Sequence, residues 1–242
     1  ATSAAASGRS VDAVAGRDLR LAATATVSAV DAAVLLTAAG DLVLSQVNAG
    51  TGNVGLVAGG RLIDGDADAD TSVDVQAGAL VVQAGAAVAT SANALETQVA
   101  TLAASSAAGG LFVINSSALT VGAVSVAAQR VGSDGTVAAA PVLALQGAGS
   151  GNGALVLAVL AGDLQLAAGA DVRSAGGAIR LDAAAGSLSL GAAVDAGHGL
   201  ATGVTGGAVS LLASAAVLLA DAGDVRTAGG SLDIEAGTLM LP

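Results

Sequence analysis

"DVRSAGGAIRLDAAAGSLSL" occupies residues 171–190 and "DVRTAGGSLDIEAGTLML" residues 224–241, so the chain states one pattern twice. In both stretches aliphatic residues alternate with small or polar ones, and glycine closes each phrase. Alternation at period two places one set of side chains on a single strand face. Aligning the phrases of form Gly-x-aliphatic-x-aliphatic brings Leu155, Ile179, Val209 and Leu232 into one series, with steps of 24, 30 and 23 residues. Second and third phrases follow inside each unit, at Leu164 and Val172, at Leu188 and Val194, and at Val217 and Val225. The earlier half keeps the same grammar at Leu19, Leu42, Leu62, Val73, Leu80, Leu111 and Leu119.

A period of this length predicts units that cannot bury their aliphatic face alone and must stack on their neighbours. The fold expected is all-β: a right-handed parallel β-helix (β-solenoid) with about three short strands per coil of roughly 21–24 residues. Equivalent strands would lie in parallel, about 4.8 Å apart. Residues 1–242 are expected to form a single such segment, part of a longer chain, with residues 197–207 ("GHGLATGVTGG") as a loop inserted at one corner. The opening "ATSAAASGRS" has no Met, basic stretch or apolar stretch of a leader, consistent with a processed piece. A thin interior suits Leu, Val, Ile and Ala, and the chain offers little else, with no Trp or Tyr, one Phe and one Met. One stretch competes with the strand reading. In "SANALETQVATLAA" (residues 91–104) Asn93 precedes Glu96 by three, and Leu95, Val99 and Leu102 share a helical face, as in a capped helical turn. A strand over Val99 to Ala103 is preferred because "GGLFVIN" follows at once.

The charge balance narrows the partners. All eight cations are Arg, 17 of the 19 acids are Asp, and the formal net charge is −11. Such a surface repels phosphate backbones and anionic lipid, and no Arg cluster is interleaved with aromatics, so nucleic acid is not an expected partner. The absence of Cys excludes disulfides and thiolate chemistry. No apolar run reaches the roughly 18 residues of a spanning helix, and the aromatic girdles of an outer-membrane barrel are missing, so membrane insertion is not expected.

The densest charge is "DGDADAD", which sets Asp64, Asp66, Asp68 and Asp70 at every second position, with Asp74 beyond. Alternating carboxylates in a turn can converge on a hard cation, and Ca2+ is the ion this run would take. The run departs from an EF-hand loop, since Ala69 stands at the turn glycine and Val75 at the terminal Glu. The competing reading is a solvated acidic corner. His198 is the only histidine, with Asp195 as its one acidic neighbour, which falls short of a triad or zinc site. "GAGSGNG" (residues 147–153) lacks the Lys-Ser/Thr ending of a phosphate loop and reads as a turn. β-Helices also host polysaccharide lyases and hydrolases, whose sites cluster charged groups beside aromatic platforms. Here the arginines are scattered and no platform exists; Arg173 and Arg226, at equivalent positions, read as surface residues facing Asp171 and Asp224. No catalytic residue is assigned.

The stretch "NALETQVATLAASSAAGGLFVINSSALTVGAV" (residues 93–124), preceded by "GGRLIDGDADAD", resembles segments of very large haemagglutinin-like or filamentous-haemagglutinin-like bacterial surface adhesins. The resemblance implies a β-helix exported to the cell surface or the extracellular space and used in adhesion or in fibres. It carries over no functional residue. The expected function is therefore a structural and adhesive section of a large bacterial surface or extracellular filament protein, not an enzyme, with a β-helix carbohydrate-active enzyme as the alternative. Aliphatic positions expected to face outward, such as Val43, Val81 and Val156, point to self-association into a filament or lateral assembly, or to contact with cell-surface glycans or proteins.

Overall fold

The computed structural model describes residues 10–66 and 72–242, and these contain strands, turns and bends without a helix. The aligned phrases pair in parallel: Leu155 lies opposite Ile179, Ile179 opposite Val209, and Val209 opposite Leu232. The second phrases stack Leu164 on Leu188 and Leu188 on Val217, the third Val172 on Val194 and Val194 on Val225. In the earlier half Val34, Val54, Leu80 and Leu102 form the corresponding series.

The expectation of a right-handed parallel β-helix, or β-solenoid of short strands repeating coil by coil, is corrected by the way these pairings close. Leu95–Ser106 pairs with Leu111–Asn115, which pairs with Leu155–Val159, then Ile179–Ala183, then Val209–Leu219. From Val209–Leu219 the pairing returns through Leu188–Leu190, Leu164–Leu166 and Leu119–Val121 to Leu95–Ser106. The result is a closed barrel of eight parallel strands, with further strands outside it. The physical reason lies in two long strands. Leu95–Ser106 and Val209–Leu219 contain no glycine, so each runs on where the phrase grammar places a break, and each pairs with two different neighbours along its length. Parallel strands continue beyond the ring through Val75–Ala84, Asn53–Ala58, Ala33–Ala38 and Ser10–Ala15 on one side, and through Leu232–Met240 on the other. The helical turn weighed for residues 91–104 is not formed: Leu95, Thr97 and Val99 are buried in strand alternation.

One apolar core runs from Val34 to Val217, built of Leu, Val, Ile and Ala. Each fully buried aliphatic side chain contributes about 1.5–3 kcal/mol. Two devices hold successive layers together. A column of glycines, Gly153, Gly177, Gly207 and Gly230, sits where neighbouring backbones come so close that a Cβ on Gly177 would overlap the carbonyl of Gly153 and one on Gly207 that of Gly177. The second device explains the preference for Asp. Asp18, Asp31, Asp41, Asp163 and Asp171 each accept a backbone N–H from the next layer, from Asp41 (3.0 Å), Thr51 (2.9 Å), Arg61 (2.8 Å), Ser187 (2.8 Å) and Ala193 (2.9 Å). These donors hold the carboxyls of Asp18, Asp31 and Asp41 below their ordinary value. Glu, one methylene longer, lacks the short reach that this bond uses.

The segment from Ala123 to Gln146 leaves the parallel arrangement. Ala123–Val126 pairs antiparallel with Leu143–Gln146, and Gln129–Val131 antiparallel with Val137–Ala139, forming a long hairpin. Its Val124, Val126, Ala128 and Ala140, with Leu143 and Leu145, pack on Leu35, Val81 and Ala103 as a second small core. Arg130 anchors it to Asp12 through two hydrogen bonds, at 2.5 and 3.1 Å. Of the outward positions read as an exposed strip, Val81 is therefore fully buried beneath the chain's own hairpin, while Val43 and Val156 are half-buried.

Candidate metal centre

Three acids from two successive layers, Asp64 and Asp74 in one and Glu96 in the next, converge beside the outer strands. Asp64 ends the strand Leu62–Asp64, Asp74 immediately precedes Val75–Ala84, and Glu96 is the second residue of Leu95–Ser106. The parallel pairing of Val75 with Thr97 sets Asp74 beside Glu96. One carboxylate oxygen from each acid lies within 4.8 Å of the others. Asp74 has no exposed surface and Asp64 is 4% exposed; Glu96 is partly buried as a residue, but its Oε2 is shielded. Asp74 Oδ2 accepts the backbone N–H of Glu96 at 2.8 Å, whereas its Oδ1 has no hydrogen-bond partner among the described residues. Asn93 donates through Nδ2 to the backbone carbonyl of Asp64 at 3.3 Å, and its Oδ1 is likewise shielded and without a hydrogen-bond partner.

Electrostatics follow from the packing. Burial pushes the Asp74 carboxyl up to about 9, helped by the negative charges of Asp64 and Glu96 and opposed by the backbone N–H of Glu96. Three carboxylates this close can share the space only with protons or with a cation. Asp64 and Asn93 also line a cavity of about 200 Å3 with Arg61, Leu62, Ala89 and Thr90.

Of the acids singled out in the sequence, Asp64 and the more distant Asp74 belong to this cluster. Asp66 lies beside it, donating its backbone N–H to Asp64 Oδ1 at 3.1 Å, and is not one of the three converging acids. Asp68 and Asp70 fall outside the described residues. Sequence reading passed over Glu96 as a member, treating it as a partner of Asn93 in a helical cap. The available signal was spacing: Glu96 stands 22 residues after Asp74, one layer step, and is one of two Glu in the chain.

The other candidates are engaged structurally. Arg173 pairs with Asp171, and Arg226 with Asp224 at 2.6 Å; Asp195 is inserted between the two arginines in the strand ladder. His198, in the glycine-rich loop, holds Nδ1 3.8 Å from Asp195 Oδ2, beyond hydrogen-bond distance, while Asp195 Oδ1 accepts the Gly197 N–H at 2.9 Å. His198, Asp171 and Arg173 border a groove of about 330 Å3 beside the hairpin residues Leu145 and Gln146. Residues 147–153 hold the short strand Ala148–Ser150 and a glycine turn. Searches of protein-family models, curated proteins and solved structures return no match to this chain.

Proposed function

We propose that the chain is a structural and adhesive section of a large bacterial surface or extracellular protein, associating with neighbouring copies through its terminal strands. The observation that carries this reading is the state of Leu232–Met240. Leu232 occupies the same column as Leu155, Ile179 and Val209, which are at most 1% exposed, yet Leu232 itself is 49% exposed. Leu239 stands opposite the buried Val217 and is 48% exposed, with Met240 beside it at 54%. The core therefore continues to a strand whose outer edge has no further strand on it among the described residues. At the opposite end Val11 and Ala13 of Ser10–Ala15 pack on the same core and are only partly buried.

An aliphatic strand edge of this kind takes a further parallel strand, from a neighbouring copy or from more of the same protein. Between copies, contact of the Leu232–Met240 edge with the different Ser10–Ala15 strand would be heterologous and would propagate. The likeness of residues 93–124 to haemagglutinin-like adhesins supports the same reading. Sedimentation velocity over a concentration series tests it. Concentration-dependent assembly is expected, and it should be lost in Leu232→Lys and Leu239→Lys. A chain that sediments as a monomer at every concentration overturns the proposal.

A further inference from the structure

We propose that Asp64, Asp74 and Glu96, with the side-chain oxygen of Asn93, form a binding site for a hard divalent cation, Ca2+. The donor set is oxygen only, three carboxylates and an amide carbonyl, which selects hard cations over zinc or copper. Coordination habit then chooses among them: Ca2+ accepts about six to eight oxygens in flexible geometry from several carboxylates and carbonyls, whereas Mg2+ keeps several waters and is bound through one or two carboxylates. The three acids each present an oxygen within 4.8 Å of the others, close enough for one ion to bridge them.

Convergence of acids would not alone define a site, and two further features point to a ligand. Asp74 is completely buried, and with Oδ2 taken by the Glu96 N–H, its Oδ1 is a solvent-shielded acceptor without a hydrogen-bond partner among the described residues. Buried acceptors are almost always satisfied, by protein, by water or by an ion. Asn93 repeats the observation from another direction: its amide is held on the Asp64 carbonyl by Nδ2, and Oδ1 remains shielded without a partner. The cavity that Asp64 and Asn93 line gives an ion a path to the site. Arg61, the cation on that cavity, is occupied by Asp41, with its Nη2 at 3.1 Å from Asp41 Oδ2.

A bound Ca2+ would connect two successive layers at the point where the outer strands meet the ring strand Leu95–Ser106. The full chain, stripped with EDTA and dialysed, is titrated with CaCl2 by calorimetry and melted in CaCl2, MgCl2 and EDTA. One Ca2+ per chain is expected, with an unfolding temperature several degrees higher in Ca2+ than in EDTA and a smaller response to Mg2+. Asp74→Asn keeps the shape of the side chain and should weaken Ca2+ binding about tenfold or more, whereas the exposed Asp221→Asn should leave it unchanged. If Asp74→Asn does not fold, Glu96→Gln supplies the same comparison. No heat at millimolar Ca2+ with identical melting in EDTA overturns the site, because protons alone then hold the acids together. Undiminished binding by both variants, or a larger response to Mg2+ than to Ca2+, overturns it as well.

Discussion

Asp74 and Glu96 bind each other reciprocally through the backbone: the Asp74 N–H donates to the Glu96 carbonyl at 2.9 Å, and the Glu96 N–H returns to Asp74 Oδ2 at 2.8 Å. The strand ladder thus holds the Asp74 carboxyl in a buried position beside two other acids, where ionisation is disfavoured.

That placement has a pH consequence for the chain in chelator. The Asp74 carboxyl is raised to about 9 in the folded chain, against about 3.9 when unfolded. Between these values the folded state binds the extra proton, so stability falls as pH rises from about 4 towards 9. Urea unfolding in EDTA across that range should show the decline, and Asp74→Asn should flatten it. A wild-type midpoint that stays constant from pH 5 to 9 would refute the assignment.

Gly177 and Gly149 provide a matched pair. A Cβ on Gly177 would overlap the Gly153 carbonyl, which is backbone and cannot swing away, whereas a Cβ on Gly149 has only Arg173 O near it, at 3.9 Å. Gly177→Ala should therefore cost about 1–3 kcal/mol or more, and Gly149→Ala little. Equilibrium unfolding of the two variants side by side decides the matter.

Asn115 is fully buried and completely used. Its Oδ1 accepts from Val99 N at 3.0 Å and Thr97 Oγ1 at 2.9 Å, and its Nδ2 donates to the carbonyls of Val99 at 3.1 Å and Ser117 at 2.6 Å. It serves the Leu95–Ser106 strand between the stretch paired with Leu111–Asn115 and the stretch paired with Leu119–Val121. Asn115→Leu keeps the volume and strands those groups, with an expected loss of about 2–4 kcal/mol. A loss below that of a surface substitution would show that the strand re-pairs without it.

Docking of the hairpin should be separable from the barrel. Leu143→Asp places a charge against Leu35, Val81 and Ala103. Hydrogen exchange by mass spectrometry should then accelerate about tenfold or more over residues 123–146 while Ile179–Ala183 stays protected. Uniform acceleration would mean that the two cores unfold together.

Much of the pairing was legible because it rests on local chemistry. Alternation identifies the inward residues of Leu155, Ile179 and Val209, and glycine marks the turns, since close backbone approach excludes a side chain there. The hairpin was not legible: Val124, Val126, Leu143 and Leu145 alternate like any other phrase, and nothing in alternation tells a strand that stacks in parallel from one that folds back and covers Val81. Asp64 was read as one of an alternating run with Asp74 beyond it, whereas the third acid, Glu96, stands in the next layer.

The residue types alone determined an all-β chain with an aliphatic, ring-poor interior, because period-two phrases without aromatics leave no other way to bury so much Val, Leu and Ala. Only the tertiary structure decided that the parallel strands close into a ring, since closure depends on two long strands that pass their corners unbroken and pair on both sides. It also decided which acids meet, because proximity across layers is set by hydrogen-bond register, a property of the assembled sheet that no single segment carries.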